Sequence, residues 1–232
     1  MRIGILSDAH GNVEAFELAL QILTDARADE IYFLGDAVGY IPDKGVVSAL
    51  MGSSIRSVRG NHDDMLLRQS ASDAKDLVYR HRETFAALSH DEREFISEWP
   101  SQLRLNGEHG TMLFVHGSPK DPLAGYVYPD SSLADLSTVN ADIVFMGHTH
   151  HPFVREHGGK LLVNVGSCGL PRGDDLRGAV CIYDLGERSA TIIRFDISGC
   201  CRRILSRHSL SPTVTSLLER CSNYEVRNDR EA

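Results

Sequence analysis

The chain has 232 residues, 42% of them hydrophobic, and a formal charge of −8 at pH 7. That length and apolar content support one sizeable core and exclude a disordered chain, while the acidic balance gives no long-range attraction to nucleic acid or to an anionic membrane, so any affinity for phosphate has to be local. Residues 1–7 are too short, and too soon followed by Asp8 and His10, to form a secretory signal, and no run approaches a membrane span, so the cytoplasm is the expected location.

Ile3 to Leu6 reads as a buried strand. Val13, Phe16, Leu20 and Leu23 recur at helical spacing over 13–26, with Asn12 as the N-cap. Ile31 to Leu34 is a second strand, Lys44 to Met51 a short helix and Ile55 to Val58 a third strand, the alternation of βαβ units. Met65 to Trp99 is rich in helix formers whose charges form a solvated face, and Pro100 closes it. Strands resume at Leu103 to Leu105 and Met112 to Val115, followed by a helix-like stretch at Ser131 to Val139 and a buried strand at Ile143 to Met146. From there short β runs dominate, at Phe153 to Glu156, Leu161 to Val165, Ala179 to Tyr183 and Thr191 to Phe195. Turns such as His157-Gly158-Gly159 separate them, which predicts an antiparallel second sheet. Beyond residue 197 the pattern is lost: Thr213 to Arg220 predicts one helix after Pro212, and 228–232 a frayed polar end. The expected division is a domain over 1–197 and an extension over 198–232. The five cysteines, odd in number and without a CxxC pair, read as reduced and inert, with Cys168 alone reachable in a Gly-rich loop.

Five apolar runs are each followed at once by groups that bind metal or phosphate. IGIL precedes Ser7-Asp8-Ala9-His10, IYFL precedes Gly35-Asp36, and Ile55 to Val58 precede Arg59-Gly60-Asn61-His62-Asp63. MLFV precedes His116-Gly117, and IVFM precedes Gly147-His148-Thr149-His150. In an α/β sheet, ligands bind beyond the carboxyl ends of the strands, where these five endings converge. Carboxylate with imidazole suits a borderline divalent transition ion, and the lack of thiolates argues against a closed structural zinc site. Asp8 and His10 can turn toward one ion, Asp36 has two oxygens with which to bridge two, and Asn61 adds a neutral oxygen that leaves positive charge for an anion. A single buried histidine is more often hydrogen-bonded in a core, but five of the eleven histidines lie in these strand endings.

The motifs DAH at 8–10, GD at 35–36, GNHD at 60–63, VHGS at 115–118 and GHTH at 147–150, with NVGS at 164–167 and Pro171-Arg172, together resemble the calcineurin-like metallophosphoesterase superfamily, most of all its small prokaryotic phosphodiesterases. The resemblance implies a four-layer α/β/β/α sandwich of two mixed sheets flanked by helices. It also implies one ion held by Asp8, His10, Asp36 and His150 and a second held by the shared Asp36 with Asn61, His116 and His148. His62 stays off the ions as the acid that protonates the leaving group. The ions are divalent transition metals, Mn²⁺ first among them, with Fe, Co²⁺, Ni²⁺ or Zn²⁺ accepting the same donors. Two such ions about 3.5–4 Å apart make hydroxide available at neutral pH for in-line attack on phosphorus.

The resemblance departs at one place. The superfamily's protein phosphatases carry GDxVDRG, and here Gly39 stands where their second Asp supports the catalytic histidine. A diester or monoester of a small metabolite or nucleotide is therefore the expected substrate. A diadenosine-polyphosphate or protein phosphatase is the alternative, and a non-catalytic interaction module on the same fold is disfavoured by the intact ligand set. Arg172 and Asn12 are candidate substrate contacts, Tyr40 is read as packing, Asp63 is an even choice between capping and orienting His62, and the walls are expected from 65–99 and from the loop 119–129 with Tyr126 and Tyr128.

Overall fold

β1 (Arg2–Leu6), α1 (Val13–Asp25), β2 (Glu30–Phe33), α2 (Gly45–Met51) and β3 (Arg56–Ser57) keep the expected βαβ order in the computed structural model, which describes residues 1–107, 110–136 and 138–224. Four short helices follow, α3 (Asn61–Arg68), α4 (Asp73–Tyr79), α5 (His81–Ala87) and α6 (His90–Ser97), and then β4 (Gln102–Gly107), β5 (Gly110–Val115) and β6 (Ile143–Met146). β7 (Phe153–His157), β8 (Lys160–Asn164), β9 (Gly178–Asp184), β10 (Ser189–Phe195), α7 (Ser198–Arg207) and α8 (Pro212–Ser222) complete the order. The frayed end expected at 228–232 lies outside the described residues.

The strands form two mixed five-stranded sheets, β10-β9-β1-β2-β3 and β4-β5-β6-β8-β7. The expectation that the late strands make one antiparallel sheet is corrected. β9 and β10 return to the first sheet, β9 running antiparallel to β1, while β8 pairs in parallel with β6. Turn signals reported the two hairpins correctly but carry no information on which sheet a hairpin joins. The sheets stack through alternating side chains: Ile3 and Ile5 of β1 and Cys181 and Tyr183 of β9 face Met112 and Phe114 of β5 and Ile143 and Phe145 of β6. Tyr32, Phe114 and Phe145 stack in series at 4.3 and 5.0 Å between centroids.

The outer face of the first sheet is covered by helices, including the Ala15, Phe16, Ala19 and Leu23 stripe of α1. Asn12 caps α1 as expected, its Oδ1 accepting from the Ala15 N–H at 3.2 Å. The outer face of the second sheet is covered by Val127, Leu133 and Leu136 of a long connection. There the helix expected over 131–139, of which residue 137 lies outside the described residues, is a single 3₁₀ turn at Ala134–Leu136. Its Ser, Thr, Asp and Val content gives little helix propensity.

Over 198–224 two helices stand where one was expected. The missed one, α7, buries the neighbours Cys200 and Cys201 together with Ile204. The paired cysteines act as small apolar residues and hide the helical stripe. α7 and α8 share the core of α1 and the first sheet, so packing is continuous across residue 197. All five cysteines, Cys168 included, are buried.

Glu92 of α6 ties three elements together. Its carboxylate accepts from Lys44 Nζ at 2.8 Å, Ser48 Oγ at 2.6 Å and the Ser89 N–H at 2.8 Å. Burial pushes this carboxyl up, but the donors of Lys44, Ser48 and Ser89 outweigh it and hold it at about 2, against 4.5 for an ordinary glutamate. With the folded value below the unfolded one, the stabilisation is complete above about pH 4.5 and is lost as pH falls toward 2. Glu92→Gln is expected to cost about 2 kcal/mol at pH 7. Urea unfolding at a series of pH values should show the gap between wild type and variant closing as the solution is acidified below pH 4.5.

Candidate metal centre

β1, β2, β3, β5 and β6 all end at one edge of the sandwich, and the loops that follow are laced together by backbone hydrogen bonds. Asp8 N–H donates to Gly35 O, His10 N–H to Asp36 O and Gly147 N–H to His116 O, at 2.9–3.0 Å. His148 N–H donates to Asp8 Oδ2 at 3.0 Å, joining the first sheet to the second. A Cβ on Gly35 would lie 2.4 Å from the backbone nitrogen of Gly60, so only glycine lets the Asp36 and Asn61 loops approach this closely. Asp63 secures the same junction: buried, it accepts from the N–H groups of Asp36, Ala37 and Gly60 at 2.8–3.0 Å. That settles its role as capping. Burial and the nearby Asp36 charge raise its carboxyl to about 6.

The side chains meet in two adjoining groups. In one, Asp8 Oδ1 lies 3.2 Å from His150 Nε2, which is 3.1 Å from His10 Nε2. In the other, His116 Nε2 lies 3.3 Å from Asp36 Oδ2, 3.0 Å from Asn61 Oδ1 and 3.2 Å from His148 Nδ1. Asp36 faces both, since the same Oδ2 is 3.7 Å from His10 Nε2. All seven residues expected as ligands are thus brought together. Three overlapping sets, Asp8-His10-His150, His10-Asp36-His62 and Asp36-His116-His148, each have ligand atoms within 4.8 Å of one another. His62, expected away from the ions, falls in one of them.

The donor chemistry fits cations. Nδ1 of His10 and of His116 donates to the carbonyls of Val38 and Leu34 at 3.1 and 2.8 Å, and Nδ1 of His150 donates to Leu170 O. A carbonyl only accepts, so these bonds fix the tautomer and turn each Nε2 inward. Asp8 Oδ1 and His148 Nε2 are buried without a hydrogen-bond partner. Burial alone would raise both carboxyls, but the imidazoles around them, chiefly His150 for Asp8 and His116 for Asp36, hold both well below the usual carboxylate range. Burial lowers His116, yet Asp36 and Asp8 lift it to about 10. A proton there compensates the two carboxylates, which is the role a cation takes in a ligated site. Asp8, His10, Asp36, His148 and His150 all have φ between 51° and 65°. A left-handed conformation costs roughly 1–2 kcal/mol per non-glycine residue, and strain of this kind concentrates at functional sites.

Above the two groups lies a cavity of about 250 Å³ whose walls include Tyr40, His62, Tyr79, Tyr126 and Arg172. Burial holds the His62 imidazole well below its ordinary value against the pull of the Asp36 carboxylate. Its Nδ1 is 3.1 Å from Nε2 of His81, itself buried and pushed down by that burial to about 4. Gly39 permits the pairing, because a Cβ there would lie 2.5 Å from His62 Nδ1. Arg80 between α4 and α5 adopts φ 56°, and its neighbours Tyr79 and His81 both turn onto His62.

Arg172 reaches the cavity and donates to Tyr40 Oη at 3.2 Å. Asn12 is not among those walls: its Oδ1 caps α1 and its Nδ2 donates to Gly169 O at 2.8 Å, so both ends are engaged in the loop frame. Tyr40, read as packing, is a wall residue 4.9 Å from His10 and 4.7 Å from His62. Tyr126 and Tyr128 stand at the mouth, Tyr126 against His148 at 4.3 Å. Tyr79 and His81 went unread because they lie inside a charged helical stretch with no strand ending to mark them.

Residues 1–188 match the family model described as a calcineurin-like phosphoesterase superfamily domain. An uncharacterised protein of Methanocaldococcus jannaschii is 28% identical over 228 residues, covering 88% of this chain and 91% of its own. A crystal structure of a metallophosphoesterase from Sphaerobacter thermophilus is 27% identical with a TM-score of 0.78, over 95% of this chain and 99% of that one. A hypothetical protein from Pyrococcus horikoshii OT3, 20% identical, shares the fold with a TM-score of 0.79 over 94% and 97% of the two chains. No helix among the described residues is long and apolar enough to cross a membrane.

Proposed function

The chain belongs to the calcineurin-like phosphoesterase superfamily, and from that premise we propose that it hydrolyses a phosphodiester of a small metabolite or nucleotide with two divalent metal ions. The observation that carries the reading is Asp36, whose single Oδ2 faces His116 Nε2 at 3.3 Å and His10 Nε2 at 3.7 Å. Asp8, His10, Asp36 and His150 would hold one ion, and Asp36, Asn61, His116 and His148 the other. When bound, such ions neutralise phosphoryl oxygens and bring the pKa of water down to about 7, so that the nucleophile exists at neutral pH.

The chain's own residues do the rest. Arg172 presents a guanidinium to the remaining phosphoryl oxygens. His62 donates a proton to the departing oxygen, which contributes roughly 10²–10⁴ in rate. His81 holds the His62 ring at Nδ1, leaving Nε2 for the cavity, and so supplies the support that an aspartate gives in the protein phosphatases. An approaching phosphate anion favours the charged imidazole and opposes the burial that keeps it neutral. Gly39 in place of that aspartate speaks for a small diester over a phosphoprotein.

Metal-stripped protein resupplied with Mn²⁺ is expected to hydrolyse bis-p-nitrophenyl phosphate and to lose that activity to a chelator. Hydrolysis of p-nitrophenyl phosphate alone would turn the assignment to a monoesterase. Inactivity on both with metal present would favour the non-catalytic interaction module.

A further inference from the structure

Tyr40, Tyr79 and Arg172, which wall the metal cavity, also wall a second hollow of about 400 Å³. Its far side is α8, which contributes Leu217 and, at the rim, Arg220, while Val78 of α4 adds to the apolar surface. His62 packs on both tyrosine rings, at 4.7 Å from Tyr40 and 4.6 Å from Tyr79. The hollow therefore adjoins the metal cavity on its His62 side. The two arginines there have neutral partners, Arg172 donating to Tyr40 Oη and Arg220 to Gly173 O, at 3.2 and 3.0 Å. In a chain of net charge −8, two guanidiniums at one cavity that make no ion pair with a carboxylate among the described residues form a cradle for an anion. The α8 wall lies beyond residue 188, where the family match ends, so the hollow is built in part by the segment that follows the matched domain.

We propose that this hollow is the leaving-group subsite and that it takes a nucleoside carrying a second phosphoryl group. The base lies against Tyr79, Val78 and Leu217, and the second phosphate meets Arg220. The inference rests on the phosphodiesterase reading. Water supplies the oxygen that bonds to phosphorus, the bond from phosphorus to the 3′ oxygen breaks with its electron pair, and that oxygen takes a proton through His62. With a 3′,5′-linked dinucleotide whose leaving nucleoside carries a 5′-phosphate, the products are a nucleoside 5′-monophosphate from each half.

Full-length Mn²⁺-loaded protein is to be assayed on the dinucleotides ApA and pApA, which share ester and bases and differ only in the 5′-phosphate of the leaving nucleoside. Bis-p-nitrophenyl phosphate serves as the probe without such a group. One charge-assisted contact is worth roughly a factor of ten, so kcat/KM for pApA should exceed that for ApA by about that factor. Arg220→Ala should bring the ratio close to one, and Arg220→Lys, which keeps the charge, should retain most of it. A wild-type ratio near one, or an unchanged ratio in Arg220→Ala, overturns the subsite and leaves the diesterase reading standing. A wild type inactive on bis-p-nitrophenyl phosphate with metal present overturns that reading and the subsite with it.

Discussion

Asp36→Ala is expected to lower kcat/KM for bis-p-nitrophenyl phosphate by at least roughly 10³-fold, about 4 kcal/mol in barrier height, and to lower metal content at the same time. Asp36 Oδ2 reaches toward His116 in one group and His10 in the other. Its other oxygen accepts the His62 N–H at 2.8 Å and so also anchors the start of α3. Asp36→Asn separates these roles, because the amide oxygen keeps the acceptor while the charge that faces both groups is gone. A folded Asp36→Asn protein with wild-type turnover would remove the shared-ligand model.

His62→Ala should leave metal content unchanged and lower kcat by roughly 10²–10⁴ for diesters with alkyl leaving groups, with a far smaller loss when p-nitrophenolate departs, since a weakly basic oxygen leaves without a proton. The comparison also decides the ambiguity of position, because His62 shares a potential ligand set with His10 and Asp36. Loss of metal from His62→Ala would place it among the ligands. His81→Ala should reproduce the same leaving-group dependence at smaller amplitude, and His81→Asn, which can still hydrogen-bond to His62 Nδ1, should restore part of it. An equal loss on good and poor leaving groups would mean that His81 serves only packing.

Much of this was legible because the centre is built on strand endings. Asp8, His10, Asp36, Asn61, His116, His148 and His150 each follow an apolar run, and parallel pairing brings those runs to one edge. The local period and the candidate donor types therefore lie in the same few residues. What could not be read depended on long-range partners. β9 returns to β1 across more than 170 residues, as the pairing of Ile5 with Cys181 shows, and no turn signal encodes that choice. Asn12 carried a correct cap signal, but the backbone carbonyl that engages its other end belongs to Gly169. His81 lies in a stretch whose surface charges dominate the pattern, and its inward turn depends on the left-handed Arg80, a conformation with no strong residue signature when the residue is arginine.

The claim that the two groups form one dinuclear centre is tested most directly by titrating metal-stripped wild type with Mn²⁺, counting bound ions per chain and following diester hydrolysis alongside. Two ions per chain, with activity rising as the second is taken up and with both lost in Asp36→Ala, is the predicted result. One ion per chain at full activity would contradict it.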